Sequence, residues 1–193
     1  TLALLSSTGR ESVHAVLSCH EGVARRLVGI LRHPVREIKA RSLCVIANVC
    51  ASSCYVVTGD DSEVQSMVDG NIFPELVTLL HADREKEHVV VRRALRVLAN
   101  IFAGKRRQLH AALDSDTTSR HTPEGRFIPL ICDIICSCSY SIDYERDIIE
   151  EAAWVINNAT LGAPERVVNI LTDGCMEMLC DGGSLVAPAI CAA

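Results

Sequence analysis

The sequence predicts an all-α solenoid, a chain in which one helical unit repeats and each copy stacks on the last. Three observations carry that prediction. One block recurs three times: a Gly, a short apolar helix, a polar break, then a longer helix ending in Asn. Hydrophobic residues make up 49% of the 193 residues while aromatics make up only 4%, so the core is built from small aliphatics that let helices pack closely. No stretch alternates apolar and polar residues long enough to read as a strand.

The first block runs from Gly22 through VARRLVGILRHP to KARSLCVIAN, ending at Asn48. The second runs from Gly70 through NIFPELVTLLHA to RRALRVLAN, ending at Asn100, and the third from Gly125 through RFIPLICDII to EEAAWVINN, ending at Asn158. A fourth opens at Gly174 with CMEMLC. Between Asn158 and Gly174 lies a segment that reads like the one between Ser6 and Gly22, so each unit gains a short first helix. Ser6 then holds the place of the terminal Asn, and Ser6 to Asn48 spans 42 residues, within the roughly 40–47 expected of armadillo or HEAT repeats. The next spacings are 52 and 58 residues. Their surplus is expected in loops at Ser52–Asp61, His81–His88, Asp114–Pro123 and Ser137–Tyr144, which are charged or rich in turn residues.

These spacings predict an armadillo-type right-handed α-solenoid of about three full three-helix repeats with partial repeats at both ends. The whole chain, 1–193, is one array: 1–6 ends a preceding repeat, 7–50, 51–104 and 105–162 are full units, and 163–193 is partial. Because the chain opens inside a unit and begins with Thr, it is read as a fragment of a longer protein. Gly22, Gly70, Gly125 and Gly174 suit the sharp turn between first and second helices, where a positive φ is tolerated. Pro74 and Pro129 fall in the first turn of the second helices, where a missing N–H costs nothing. Asp61-Ser62-Glu63-Val64 reads as a helix start, with acids near the positive end of the helix dipole. No unit can bury its apolar face alone, so stacking supplies the core.

Composition also narrows function. A net charge of −5 argues against a nucleic-acid binder, which carries a basic excess. No apolar run reaches the length of a membrane span. The ten cysteines lie mostly within apolar runs, and although Cys132, Cys136 and Cys138 sit close in sequence, no CxxC pair occurs. They are read as buried thiols of a reducing compartment, without metal. No phosphate loop, HExxH or nucleophile elbow is present, and adjacent Glu150 and Glu151 diverge on a helix. A binding module rather than an enzyme is expected, with no cofactor.

The third helices carry a stripe at i, i+3, i+7 spacing. It consists of Arg41, Cys44 and Asn48; Arg93, Arg96 and Asn100; and Glu151, Trp154 and Asn158. Leu43, Ile46, Leu95, Leu98, Ala153 and Ile156 alternate with it as the expected core face. The stripe is therefore an exposed ladder along the array. Its charge changes from unit to unit: Arg84–Asn100 holds five basic and two acidic residues, whereas Asp143–Asn158 holds five acidic and one basic.

The segment EEAAWVINNATLGAPERVVNILTDGCMEMLCD, about Glu150–Asp181, resembles a repeat of the importin-α family. That resemblance implies a role for each matching residue. Trp154 would form a slot for the aliphatic stem of a Lys or Arg, Asn158 would clamp the backbone of an extended nuclear-localisation peptide, and Glu151 would pair with the basic side chain. An indole face attracts a cation, and an amide offers an extended peptide both donor and acceptor. Asn100 and Asn48 occupy the same ladder position in earlier units. Ser6 followed by Cys44 and Asn48 resembles the order of repeats in the family's C-terminal half, which carries its minor cargo site. The second full unit departs from the family, with Arg96 in place of the Trp and Arg93 in place of the acid.

The expected function is thus a nuclear-import adaptor-like module that binds a Lys/Arg-rich nuclear-localisation peptide in the groove of its stacked third helices. Importin-β would bind through a segment outside this chain, neither nucleic acid nor membrane is a partner, and the protein would occupy cytoplasm and nucleus. The alternative keeps the scaffold but uses Arg41, Arg93 and Arg96 as a basic groove for acidic or other extended peptides.

Overall fold

The computed structural model describes residues 22–54, 62–82, 88–118 and 127–163, together with Glu165 and Val168. Eight α-helices, and no strand, lie among the described residues: α1 (Val23–Ile30), α2 (Arg36–Cys54), α3 (Ser62–Asp69), α4 (Ile72–Ala82), α5 (His88–Phe102), α6 (Arg106–Thr118), α7 (Phe127–Ser137) and α8 (Asp143–Gly162). The expectations for Ser6, Asp61, Gly125, Gly174, unit 1–6 and nearly all of 163–193 fall outside these residues.

The helices form a layered stack. α2, α5 and α8 are the long third helices, and they make the most extensive helix–helix packing in the molecule, α5 lying against both of the others. The second helices α1, α4 and α7 each back the third helix of their own unit. α3 joins the first unit to the second by touching both α1 and α2, and α6 does the same from α3 and α5 to α8.

The sequence explains why α5 is central. Val90, Val91, Ala94, Leu95, Val97, Leu98, Ala99, Ile101 and Phe102 are all buried, a broader apolar arc than a helix packed on one side needs. The chain's three phenylalanines meet beside it. Phe73 of α4 and Phe102 of α5 each present an edge to Phe127 of α7, at centroid distances of 5.6 and 6.4 Å.

Two expectations about the core face need correction. Ala153 and Ile156 are only half-buried; the core side of α8 is Ile148, Ile149, Ala152, Val155 and Ala159. Among the described residues α8 has a third helix on one side only, so the positions that are sealed in α5 stay partly open. Likewise the predicted loops begin late, since α2 runs to Cys54, past the boundary drawn at residue 50, and α6 runs to Thr118. Ser, Asp and Thr weaken a helix without ending it, and neither stretch holds a Gly or Pro. The other joints match: α4 ends at Ala82 and α5 begins at His88, α7 closes at Ser137, and α8 opens at Asp143.

The recurring turns are made in two different ways. Gly22 precedes α1 in the left-handed region, with φ 87°, as its lack of a Cβ allows. Between α3 and α4 the left-handed residue is instead Asn71, with φ 63°, a residue type whose short amide tolerates that region. Gly70 serves closeness: a Cβ there would lie 3.2 Å from the Ser66 and Met67 carbonyl oxygens and 3.6 Å from Arg25 Cα on α1. Arg32 fixes the same joint, donating through Nε to Oε1 of the buried Glu75 in the first turn of α4 at 2.9 Å. Pro74 and Pro129 lie third in their helices, inside the first turn.

Candidate functional site

The ladder residues face the groove formed where consecutive third helices lie side by side, but they do not simply stand exposed. Asn158 Nδ2 donates to the Ala99 carbonyl at 2.9 Å, and Asn100 Nδ2 donates to the Ala47 carbonyl at 2.9 Å. Each acceptor is the residue just before the ladder position on the preceding helix, so one rung recurs at both seams. Ala99 O also accepts its own helical N–H from Ala103 at 2.9 Å, using the carbonyl's second lone pair. The small Ala at this position lets the amide reach the backbone. Asn48, Asn100 and Asn158 are accordingly half-buried, which corrects the picture of a fully exposed stripe.

One and two turns earlier the two seams diverge. Arg93 Nη1 donates to the Ala40 carbonyl at 2.7 Å, so this half-buried side chain clasps α5 to α2. Arg96, the next exposed basic residue, turns the other way and pairs with Glu151 of α8 at 3.8 Å. Arg92 pairs with Asp147 on the same seam. The basic face of α5 and the acidic face of α8 therefore meet as complementary surfaces.

Glu151 sits in an uneven environment. Its side chain is 20% exposed against 59% for Arg96. Burial pushes its carboxyl above the usual range; Arg96 and Arg92 pull it back in part, and Asp147 and Glu150 push it up further. Three residues on from Glu151, a little under one turn of the same helix, Trp154 holds its indole 50% exposed.

These side chains enclose a shallow cavity of about 330 Å³ between α5 and α8. Arg96, Asn100, Glu151, Trp154 and Asn158 line it, and Ala99 and Ala103 leave it room. Five residues predicted from sequence as a site thus come together from two units; Asn48 lies on α2 and does not line it. Toward the helix N-termini a second hollow of about 230 Å³ is lined by His88, Val89, Arg92, Arg93, Tyr144 and Asp147. There the His88 and Tyr144 rings stack with centroids 4.0 Å apart. Sequence reasoning missed Arg92, Asp147, His88 and Tyr144. The opposite charge of the two third-helix segments was the available signal for the first two.

Elsewhere, Cys50 and Cys132 are buried, but Cys44, Cys136 and Cys138 are half-buried, more open than expected of core thiols. Among the described residues no three His, Cys, Asp or Glu side chains gather to hold a metal ion, and no helix is long and apolar enough to cross a membrane.

Three-helix units whose third helices stack along one groove define an α-solenoid of the armadillo-repeat class. An engineered protein of known crystal structure has the same fold, with a TM-score of 0.72 at 22% identity over 98% of this chain and 65% of its own. A computationally designed armadillo repeat protein for modular peptide recognition gives 0.71 at 20% identity, over 98% and 69%. In sequence, importin subunit alpha-1a of Oryza sativa subsp. japonica is 30% identical over 114 residues, 59% of this chain and 20% of that protein. No protein-family profile matches the chain. The chain is an armadillo-repeat protein by its fold, resembling importin-α over a stretch that spans a fifth of that relative's length.

Proposed function

We propose that this chain is a nuclear-import adaptor-like module that binds an extended peptide across its third helices, with a Lys or Arg of the peptide seated on Trp154 and Glu151. The observation that carries this reading is the cavity between α5 and α8, where an exposed indole, a half-buried carboxylate and two ladder amides converge. The indole offers its face to the aliphatic stem and cation. Glu151 supplies the counter-charge, and the carboxamide of Asn158, one N–H of which is held by Ala99 O, keeps polar capacity for a peptide backbone. The resemblance to importin-α supports a basic, nuclear-localisation-type cargo, and with it a cytoplasmic and nuclear location and an importin-β partner engaged through a segment outside this chain. No chemistry of its own belongs to this role.

The alternative, a basic groove for acidic peptides, draws on the exposed Arg41 and Arg96. It has less support, because Arg93 is engaged with a backbone carbonyl and Arg96 and Arg92 with acids.

Fluorescence anisotropy with a labelled peptide carrying a Lys/Arg residue, on the wild type and on Trp154→Ala, tests the reading. Loss of the half-exposed ring is expected to weaken binding about tenfold while leaving the thermal midpoint nearly unchanged, a cation–π contact at a partly open site accounting for the loss. Equal affinity of the two proteins would place the peptide elsewhere and overturn the proposal.

A further inference from the structure

We infer that the groove selects a mixed-charge extended peptide, with an acidic residue over α5 next to the basic residue over α8, and that Arg96 sets this preference. The inference rests on the peptide-groove reading above and names its ligand class more narrowly.

In the groove Arg96 pairs with Glu151, at 3.8 Å, and Arg92 pairs with Asp147. Glu151 is the position a basic ligand would use, so the groove is close to neutral where an all-basic peptide needs an acidic one. A ligand cation that takes Glu151 displaces the Arg96 guanidinium. If the rest of the peptide is also basic, two or more cations then crowd one carboxylate. If the neighbouring peptide residue on the same face is Asp or Glu, it receives the released guanidinium, and both charge pairs are satisfied.

The geometry suits this exchange. Residues i and i+2 of an extended chain share a face about 7 Å apart. Neighbouring helices pack about 8–10 Å apart, a difference that the long Arg96 side chain spans. Beyond the cavity, Arg92 and Arg93 continue the basic face of α5 and Asp147 the acidic face of α8, while on α2 the exposed Arg41 stands one turn from the exposed Glu37. An acidic ligand residue over α5 next to a basic one over α8 matches that order; a run of one sign does not.

The test uses the full chain and fluorescein-labelled peptides of equal length in anisotropy titrations. One is all Lys/Arg, one all Asp/Glu, and two place Asp/Glu and Lys/Arg at i and i+2 in either order. The expected result is that one mixed peptide binds about fivefold or more tighter than either single-sign peptide at low salt, the margin shrinking as salt screens exposed charges. Arg96→Gln should remove the margin, and Arg96→Glu should turn the preference toward the all-basic peptide; circular dichroism checks that each variant is folded. Tightest binding of the all-basic peptide to the wild type, still lost in Trp154→Ala, would overturn this inference and leave the peptide groove standing. A preference for the mixed peptide that is unchanged in both Arg96 variants would also overturn it. Failure of every peptide to bind folded protein would overturn both.

Discussion

The seam between α2 and α5 and the seam between α5 and α8 are built on the same rung. In each, a ladder Asn donates its amide N–H to the backbone carbonyl one residue before the corresponding position on the preceding helix, at 2.9 Å. Around that shared rung the seams differ. At α2/α5 the residues seven and four before Asn100 are Arg93, which clasps the Ala40 carbonyl, and Arg96, which turns away toward Glu151. At α5/α8 the equivalent residues are Glu151 and Trp154, the contacts are ion pairs, and a cavity opens. At both described seams the ladder Asn thus ties one third helix to the one before it. What makes one seam a candidate site is the pair of residues four and seven positions before it.

The largest disturbance would come from the helix both seams share. Leu95 of α5 is fully buried, and Leu95→Ala is expected to cost about 2–5 kcal/mol, read as a shift of the urea midpoint. A loss under about 1 kcal/mol would show that α5 is not the common support of the two seams.

A sharper comparison isolates the rung. Asn100→Asp and Asn158→Asp keep the shape but replace the amide donor by a carboxylate facing a carbonyl oxygen. Each should lose about 1–3 kcal/mol, and by similar amounts, because the same hydrogen bond is broken. Chemical denaturation of the two variants checks this; a tolerated substitution at one seam would mean that the rung is structural only at the other.

The smallest effect on stability is expected at Glu151, where function and stability part. Burial raises its carboxyl pKa, so the folded chain holds that proton more tightly than the unfolded chain does. The penalty is therefore fully present above the folded value and is relieved as pH falls through it. Glu151→Gln should leave stability at pH 7 unchanged or raise it by up to about 1 kcal/mol, with the difference from wild type shrinking toward pH 4. Over the same acid range wild-type affinity for a Lys-bearing peptide should fall, while that of Glu151→Gln, already weak, stays flat. Thermal melts and anisotropy across pH measure both; a marked loss of stability in Glu151→Gln would show that the carboxylate is a net structural tie.

Much of the fold was legible along the chain. The recurring Gly, Pro and Asn positions located the units, and Pro74 and Pro129 fell where a helix start tolerates them. Helix ends were less legible. Ser52 and Ser53 near the end of α2, and the Asp, Ser and Thr residues that close α6, favour turns yet remain helical when no Gly or Pro intervenes. The substitution of Asn71 for a glycine as the left-handed residue was hidden for a related reason: the two residues are adjacent, and either can occupy that conformation.

By itself the sequence determined the repeating unit, the all-helical class and five of the residues that line the cavity, because all of these depend on spacing along one chain. The tertiary structure alone decided what those residues do. Asn100 and Asn158 reach partners 53 and 59 residues away, and the Arg92–Asp147 and Arg96–Glu151 pairs each join residues 55 apart. A ladder position says which way a side chain faces on its own helix. Whether it meets a carbonyl, an opposite charge or open groove depends on how the next unit is laid beside it, and that is fixed by the packing of α2, α5 and α8.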